Sequence, residues 1–242
     1  MEFKSEFISY LLSMVLEFIA IVLFWFSLKN SGVTFEGWQS EDIIALNAFF
    51  LVSQAVGIFS FGFRDIEYKI NDGSFDNYLA RPHSPFFLLA LERLNLIYFL
   101  FNFVVGISLI TFLYLTYSIQ LISVFKALFV SVIGTVSLEL IYMSFSLLSF
   151  RFGRIYYARE LFFSFSKAAR YPLDIFPTSL LRVFTFLLPI VFLASFPARI
   201  LMGRMSDSTQ VILLSVLILS IQLLIYRLLK ERALRIYSST GN

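Results

Sequence analysis

Apolar runs of about the length that crosses a bilayer as a helix recur along this whole sequence. They lack the alternation of apolar and polar residues, in segments of about ten, that marks the strands of an outer-membrane barrel. Only 14% of the 242 residues are charged and 59% are hydrophobic, which leaves too little polar surface to cover a water-soluble globule. The sequence therefore predicts an all-α integral membrane protein that lies in a lipid bilayer.

Five of about six expected spans can be placed from hydropathy alone, at residues 7–28, 41–62, 94–117, 127–150 and 209–226. The first run is longer than the apolar region of a signal peptide, carries Glu17 at its middle and lacks a small-x-small cleavage site, so we expect it to be retained. The polar stretches are about thirty residues or fewer, too short for a folded extramembrane domain. We expect residues 1–242 to form one transmembrane domain.

The region 155–203 departs from this pattern because it contains four of the six prolines: Pro172, Pro177, Pro189 and Pro197. Each proline removes a backbone donor and clashes with the preceding turn. We predict a fifth span that ends near Tyr171, and then a broken, re-entrant outer region at about 172–203 that dips back from the outer face. A single kinked span at 180–199 remains the alternative, because four charged residues would lie in the predicted span: Arg159, Glu160, Lys167 and Arg170.

Lysine and arginine cluster at alternate ends of the predicted spans. One set consists of Lys4, Arg64, Lys69, Arg81, Arg93, Arg151, Arg154, Arg159, Arg227, Lys230, Arg232 and Arg235. The first two opposite loops hold mainly Lys29 and Lys126, so the positive-inside rule predicts that both termini and residues 63–93 are cytoplasmic in a plasma-membrane protein. Trp25 and Trp38 bracket the first outer loop, as interface-anchoring rings do. The net charge of +3 is thus explained by topology and not by nucleic-acid binding.

Three separated motifs resemble those of type 2 ABC-transporter permeases. They are "GSFDNYLARP" at 73–82, "YPLDIFPTSLLRVFTFLLPIVFLASFPARILMG" at 171–203 and "RIYSSTGN" at 235–242. The resemblance extends over nearly the whole chain and is to the six-span export permeases whose genes lie beside a second permease and an ATPase. About six residues precede the first span here, which argues against the lateral amphipathic helix that relatives carry before it.

This resemblance implies the permease subunit of an ATP-driven exporter for a lipid-like or amphiphilic compound such as a drug, an antibiotic or a lipid. ATP and magnesium would bind to separate cytosolic ATPase subunits, and a second permease would pair with this chain, as a heterodimer more than as a homodimer. In agreement, the sequence contains no G-x-x-x-x-G-K-[ST] phosphate loop. A secondary transporter or channel, which internal repeats would favour, and a non-transporting scaffold remain alternatives.

Known catalytic and metal-binding patterns are missing from the sequence. There is no H-E-x-x-H pair, no nucleophile elbow and no cluster with metal-ligand spacing. The single histidine, His83, is interpreted as a solvated loop residue because one imidazole does not make a metal site. We therefore expect no catalytic residue, no metal ligand and no cofactor bound by this chain.

A polar segment at about 64–85 separates the second and third spans. Asp72 or Ser74 can cap a short helix, and Pro82 stops it. Between them Phe75, Tyr78 and Leu79 fall at i, i+3 and i+4 and form an apolar face about two turns long. So short a helix needs a surface to dock on. The residues alone also allow a solvated loop.

The resemblance implies that this short helix is a coupling helix. Phe75, Tyr78 and Leu79 would occupy a groove of the ATPase, while Asp76 and Arg81 would set the register by charge. Nucleotide-driven closure of the ATPases would then move the spans through this lever.

Two carboxylates, Glu17 and Glu139, lie inside predicted spans. A charge at the bilayer centre costs about 2.5 to 3.5 kcal/mol on insertion scales, whereas each Leu, Ile or Phe returns about 0.3 to 0.6 kcal/mol, so an apolar run can carry one. Such groups face a cavity or another subunit more often than lipid. Both can be packing residues, or they can contact cargo or the partner permease.

Overall fold

The protein is seen in a computed structural model that describes residues 2–32, 35, 37–153, 155–205 and 207–238. Within these ranges the chain is helical and has no strand, as the sequence predicts. Arg154, counted among the basic residues, and the last four residues of the terminal motif lie outside the described ranges. The side chains of Lys4 and Arg159 also lie outside the description.

Twelve α-helices are described. They are α1 (Glu2–Asn30), α2 (Ser40–Val56), α3 (Ile66–Asn71), α4 (Asp76–Leu79), α5 (Pro85–Glu92), α6 (Leu96–Thr116), α7 (Leu121–Leu147), α8 (Ser149–Phe152), α9 (Tyr156–Ser166), α10 (Thr178–Arg182), α11 (Ser195–Leu201) and α12 (Ser208–Ile236). A 3₁₀ segment, Gly57–Asp65, joins α2 to α3.

Five helical segments are long and apolar enough to cross a membrane, and they match the five spans placed from hydropathy. They are Ile8–Asn30, Ser40–Asn71, Leu96–Thr116, Leu121–Phe152 and Ser208–Ile236. The second and last continue well beyond the predicted ends at residues 62 and 226. Because an α-helix satisfies its own backbone groups, each run forms a spanning segment without help from its neighbours.

The core of the bundle is formed by α2 and α7, which pack against each other and against α6, α11 and α12. Small residues allow the backbones to approach closely. A Cβ added to Gly106 of α6 would lie 2.9 Å from a methyl group of Val52 and 3.0 Å from the carbonyl oxygen of Ala48 in α2. A Cβ on Gly134 of α7 would overlap Phe192. These contacts make α2 and α7 the rigid centre on which the other elements lie.

The bundle has two ends, which we name after one residue at each. At the Trp38 end, the Trp38 Nε1 donates to Asp174 (2.7 Å), and Lys126 at the start of α7 lies 3.4 Å from Ser208 at the start of α12. At the Phe75 end, the rings of Phe75 and Phe150 lie 5.1 Å apart. The long helices run alternately between these two ends.

An irregular segment follows the path of the predicted fifth crossing, although it is not among the helices long and apolar enough to cross a membrane. The Ile155 amide donates to Glu67 at the Phe75 end (2.8 Å), whereas Asp174 lies at the Trp38 end. Between them α9 has 11 residues and is followed by a 3₁₀ turn, Lys167–Arg170, and by extended backbone at Tyr171. This segment is shorter than the other five crossing helices.

The proline-rich region then forms a hairpin that enters and leaves at the Trp38 end. Thr178–Leu187 and Ile190–Leu201 are bent by 78° relative to each other. The hairpin starts just after Asp174, and beyond it Arg204 bonds to Gln39 and approaches Glu41 and Asp42 within 3.4 Å. A span that crossed once would have its two ends at opposite ends of the bundle, so this geometry favours the re-entrant interpretation.

The four prolines explain where the hairpin breaks. Leu188 is extended, as expected before Pro189, and the helix ends there. Pro177 immediately precedes α10, Pro172 precedes a 3₁₀ turn, and Pro197 lies in the first turn of α11, where a missing donor costs little. The hairpin is held inside the bundle because Ser131 of α7 donates to the carbonyl oxygen of Leu193 (2.7 Å). This irregular backbone packs against protein, as its depth requires.

Candidate functional site

The loop between α3 and α4 forms the tip of the Phe75 end. Gly73 adopts a left-handed conformation with φ of 78°, which lets the chain turn and the Phe75 amide reach back to the carbonyl oxygen of Lys69 (2.9 Å). The Asp72 carboxylate accepts a hydrogen bond from the Ser74 amide (2.9 Å). Hydrogen bonds from Ser74 lower the pKa of Asp72 below its ordinary value. Asp72 therefore stabilises a turn and not the first turn of α4, for which it was predicted as a cap.

The predicted short helix exists, but α4 has one turn where two were expected. It runs from Asp76 to Leu79, and Ala80 caps its end just before Arg81 and Pro82. Its first residue has no side-chain cap. A single turn cannot persist by itself in water, so contacts with the rest of the chain must hold it in place.

Phe75 supplies most of those contacts. Its ring is fully buried, with 0% of its surface exposed. It packs edge-to-face against Phe150 and Tyr237, each at 5.1 Å between ring centroids, and also contacts Phe86 and Tyr78, each at 6.1 Å. The prediction that Phe75 occupies a groove of a partner protein is therefore wrong, because no surface of the ring is left to offer. Phe75 anchors α4 to its own bundle.

Asp76 is also engaged within the chain. Its carboxylate accepts a hydrogen bond from the Tyr237 hydroxyl (2.9 Å), just beyond the end of α12. Burial, together with this bond to Asp76, raises the pKa of Tyr237 to about 12, so its hydroxyl remains a donor at any physiological pH. The first and third sequence motifs, 161 residues apart, thus meet at this point.

Tyr78 is tied to the neighbouring helices by its hydroxyl. Lys69 of α3 donates to that hydroxyl (2.6 Å) and forms an ion pair with Glu92 of α5 (2.8 Å). Burial raises the pKa of Glu92, but the hydrogen bonds and charge of Lys69 outweigh it and leave that pKa below its ordinary value. The charged pair and the phenol connect α3, α4 and α5.

The surface that remains for a partner is smaller than the predicted one. Leu79 is 43% exposed, and Asn77 and Arg81 are exposed beside it. A shallow depression of about 460 Å³ adjoins them and is lined by Lys69, Ser74, Asn77, Tyr78, Ala80 and Arg81. An apolar side chain next to a cation on a projecting turn is suited to docking on a protein groove. We call Asn77, Leu79 and Arg81 the tip surface.

The tip is mechanically linked to the core through the 3₁₀ segment Gly57–Asp65. Gly62 lies so close to the Leu89 carbonyl oxygen of α5 that a Cβ could not be added there. Asp65 forms an ion pair with Arg93 at the end of α5 (2.5 Å). The same segment continues directly from α2, so α5 packs against an extension of the bundle core.

Glu139 lies at the other side of this 3₁₀ segment. It is partly buried on α7 and faces Gly57, where an added Cβ would lie 2.7 Å from Glu139 Oε1. The Ser60 hydroxyl donates to the Gly57 carbonyl oxygen (3.1 Å), and the buried Glu139 Oε2 has no partner in the described part of the chain. The carboxyl group therefore packs inside this chain, against the point where α2 changes from α to 3₁₀ geometry.

Glu17 has a different environment from Glu139. It forms an ion pair with Arg170, which also lies over the Phe50 ring at 4.9 Å from its centroid. Gln54, Tyr98 and Asn102 line the same small cleft. The Glu17 side chain is more than half exposed in the isolated chain, so this ion pair borders on whatever surrounds α1.

From the sequence, Arg170 was recognisable only as an unusual charge in a predicted span, and its partner was not predicted. Opposite charges inside two spans were the available signal for the pair. Trp38, Asp174 and Arg199 were likewise not connected, although Asp174 accepts from Trp38 and forms an ion pair with Arg199 (2.6 Å). Within the described residues, no group of three or more His, Cys, Asp or Glu side chains could hold a metal ion.

Comparison with known proteins agrees with this architecture. The family model described as "ABC-2 family transporter protein" matches residues 11–241 of the chain. That range includes the first crossing helix from Leu11 onward, the other four crossing helices, the re-entrant hairpin and the tip surface. No curated protein and no solved structure matches the chain significantly.

Proposed function

Because this chain belongs to the ABC-2 family of transporter proteins and is the transmembrane component of such a transporter, we propose that it moves an amphiphilic or lipid-like compound out of the cell by coupling to a separate cytosolic ATPase. The observation that carries this proposal is the tip surface. The tip surface is carried by α4, a single helical turn that cannot exist alone and is anchored by Phe75. Leu79 and Arg81 are exposed there.

The proposed mechanism is a lever. The ATPase would contact Leu79 through an apolar groove and Arg81 through an acidic group, while Phe75 and the Asp76–Tyr237 hydrogen bond hold α4 on the bundle. Closure of the ATPase on nucleotide would displace α4 and α5 together, since Lys69 joins them. The 3₁₀ segment would pass that displacement to α2.

The basic residues support a particular orientation of the chain in the membrane. Arg64, Lys69, Arg81 and Arg93 lie at the Phe75 end, together with the carboxyl-terminal arginines of α12. The positive-inside rule therefore supports a cytoplasmic Phe75 end in the plasma membrane, with both termini on that side. This orientation points the tip surface at the compartment that holds ATP.

A second permease subunit is supported by the Glu17–Arg170 pair. Its carboxylate lies halfway along an apolar crossing helix and is more than half exposed in the isolated chain. An ion pair left in contact with lipid is costly, whereas a protein surface can supply further hydrogen bonds. We propose that the partner permease, different from this chain, covers α1 near Glu17.

Affinity purification tests the proposal directly. The tagged chain should co-purify with an ATPase subunit that contains a phosphate loop, and reconstituted vesicles should transport only with ATP. Replacing Leu79→Ala together with Arg81→Ala should reduce ATPase recovery by about tenfold or more, as loss of an interface anchor does. The amount of inserted permease should stay the same.

The matched control is Leu91→Ala on α5, because Leu91 is 40% exposed and lies outside the tip surface. It should leave ATPase recovery unchanged. Equal loss in both variants would show that the tip surface has no special role. Transport by the purified chain without any ATPase would instead favour a secondary transporter, and retention of full transport by the double variant would contradict the lever.

A further inference from the structure

A cavity of about 590 Å³ opens between α1 and the start of α2 at the Trp38 end. This volume lies within the range of sites that hold small organic ligands. Its walls come from one side of α1, from residues 35–47 and from Leu109 of α6. The apolar lining consists of Phe18, Ile21, Val22, Trp25, Phe26, Leu28, Phe35, Trp38, Ile43, Ile44 and Leu109.

The polar groups of the cavity lie together at its outer rim. They are Lys29, Gln39, Ser40 and Glu41, with Asn47 further along α2. Arg204 bonds to Gln39 and lies 3.4 Å from Glu41, so these two side chains are already engaged. Lys29 is exposed, and its ammonium group forms no ion pair or hydrogen bond with any residue that the structure describes. Of the two charged side chains that line the cavity, Lys29 is the one without a described ion-pair partner, and it adjoins an apolar slot.

The cavity is accessible because α1 is only lightly attached. Most of its apolar side chains are exposed, and only Met14 is buried among those described. Its contacts with the bundle include the Glu17–Arg170 ion pair and the edge-to-face packing of Phe24 against Tyr171 and of Trp25 against Phe35. A lipid tail can enter beside such a helix directly from the bilayer without crossing a polar barrier.

We propose that this cavity binds a single-tailed anionic amphiphile, with its tail along Phe18, Ile21 and Leu109 and its anionic head at Lys29. The shape, the apolar walls and the one unpaired cation fit an ionised fatty acid better than a neutral lipid. A lysine at the membrane interface keeps its ammonium group near the headgroups while its stem covers apolar surface. This site is a property of the permease alone and does not depend on the proposed coupling to ATP.

The two tryptophans of the chain provide the test, since both line the cavity and there are no others. The full-length permease is placed in nanodiscs of unbrominated neutral lipid and titrated with dibromostearate, whose bromine atoms quench indole fluorescence on contact. Binding at the site should give quenching that saturates at a low mole fraction of the acid. Quenching that rises without saturation, as random contact in the bilayer does, would overturn the proposal.

Variants at Lys29 and Val22 test the head-group contact and the apolar slot separately. Lys29→Gln should weaken the saturable binding of dibromostearate by about threefold or more, the size expected for one solvent-accessible charge contact. Lys126→Gln is the control, because Lys126 lies at the same end on α7 and outside the cavity. Val22→Phe should reduce the saturable quenching by filling the cavity, whereas Leu23→Phe, whose side chain is exposed and does not line it, should not.

The head-group assignment has its own test with dibromo-octadecanol, which has the same tail and no charge. It should bind more weakly than the acid, and Lys29→Gln should not change its binding. Equal binding of acid and alcohol to the unmodified protein would overturn the anionic assignment. An unchanged response of Lys29→Gln towards the acid would do the same.

Discussion

The hydroxyl group of Tyr237 donates a hydrogen bond to the carboxylate of Asp76, with 2.9 Å between the oxygen atoms. This bond joins the end of the last crossing helix to the one-turn helix at the tip. Together with Phe75 and Phe150, it attaches α4 to two different parts of the bundle. These contacts attach α4 to the end of α12 and to α8.

Tyr237→Phe should weaken this attachment without disturbing the aromatic packing. The ring of Tyr237 remains between Phe75 and Phe150, and only the hydrogen bond is lost, at a cost of about 1 kcal/mol. We expect normal insertion and ATPase binding but a lower transport rate per ATP hydrolysed, measured in reconstituted vesicles. Asp76→Asn, which can still accept the bond, should be milder, and a normal coupling ratio in Tyr237→Phe would argue against the lever.

Phe75→Ala should destabilise the Phe75 end of the bundle. Removing a fully buried phenylalanine typically costs about 3 to 5 kcal/mol through lost burial and a residual cavity. Thermal unfolding in detergent, together with protease sensitivity of residues 72–84, measures the effect. Phe87→Ala is the matched control, since that ring is 56% exposed on α5. If both variants unfold alike, Phe75 does not anchor α4.

Removing one charge of the Glu17–Arg170 pair should be more harmful than removing both. Glu17→Gln leaves Arg170 unpaired, so we expect weaker assembly with the partner permease or altered cargo-stimulated ATPase activity. Adding Arg170→Gln should restore most of what the single change removes, because no uncompensated charge then remains. Glu139→Gln serves as the comparison, because Glu139 packs against Gly57 inside the chain. Wild-type behaviour of Glu17→Gln in both assays would reduce the pair to a packing contact.

Single cysteines test the orientation. The chain has no native cysteine, so labelling at an introduced one has no background. Ser74→Cys and Ser238→Cys lie at the Phe75 end and should react with a membrane-impermeant maleimide only after the cells are opened. Ser31→Cys, at the Trp38 end, should react in intact cells. Labelling of Ser74→Cys in intact cells would invert the proposed topology and remove the tip surface from the side that holds ATP.

The crossing helices and the position of the tip were predictable from local sequence. A run such as Leu96–Thr116 is helical in a bilayer because every backbone group finds its partner four residues away. The prolines indicated in the same local way where the hairpin breaks. The position of α4 was predicted correctly, but the length of α4 and the direction of Phe75 were not, because both depend on rings supplied by Phe86, Phe150 and Tyr237.

The sequence by itself determined the class of protein, the crossing segments and the basic end of the bundle, since composition and short-range hydrogen bonding decide these properties. Only the tertiary structure decided that Phe75 is an anchor, that Glu17 pairs with Arg170 and that the hairpin returns to the Trp38 end. The Glu17–Arg170 pair joins residues 153 positions apart, and Trp38 and Asp174 are 136 apart. Contacts over such separations depend on how the helices pack together, and no local pattern of residue types predicts that packing.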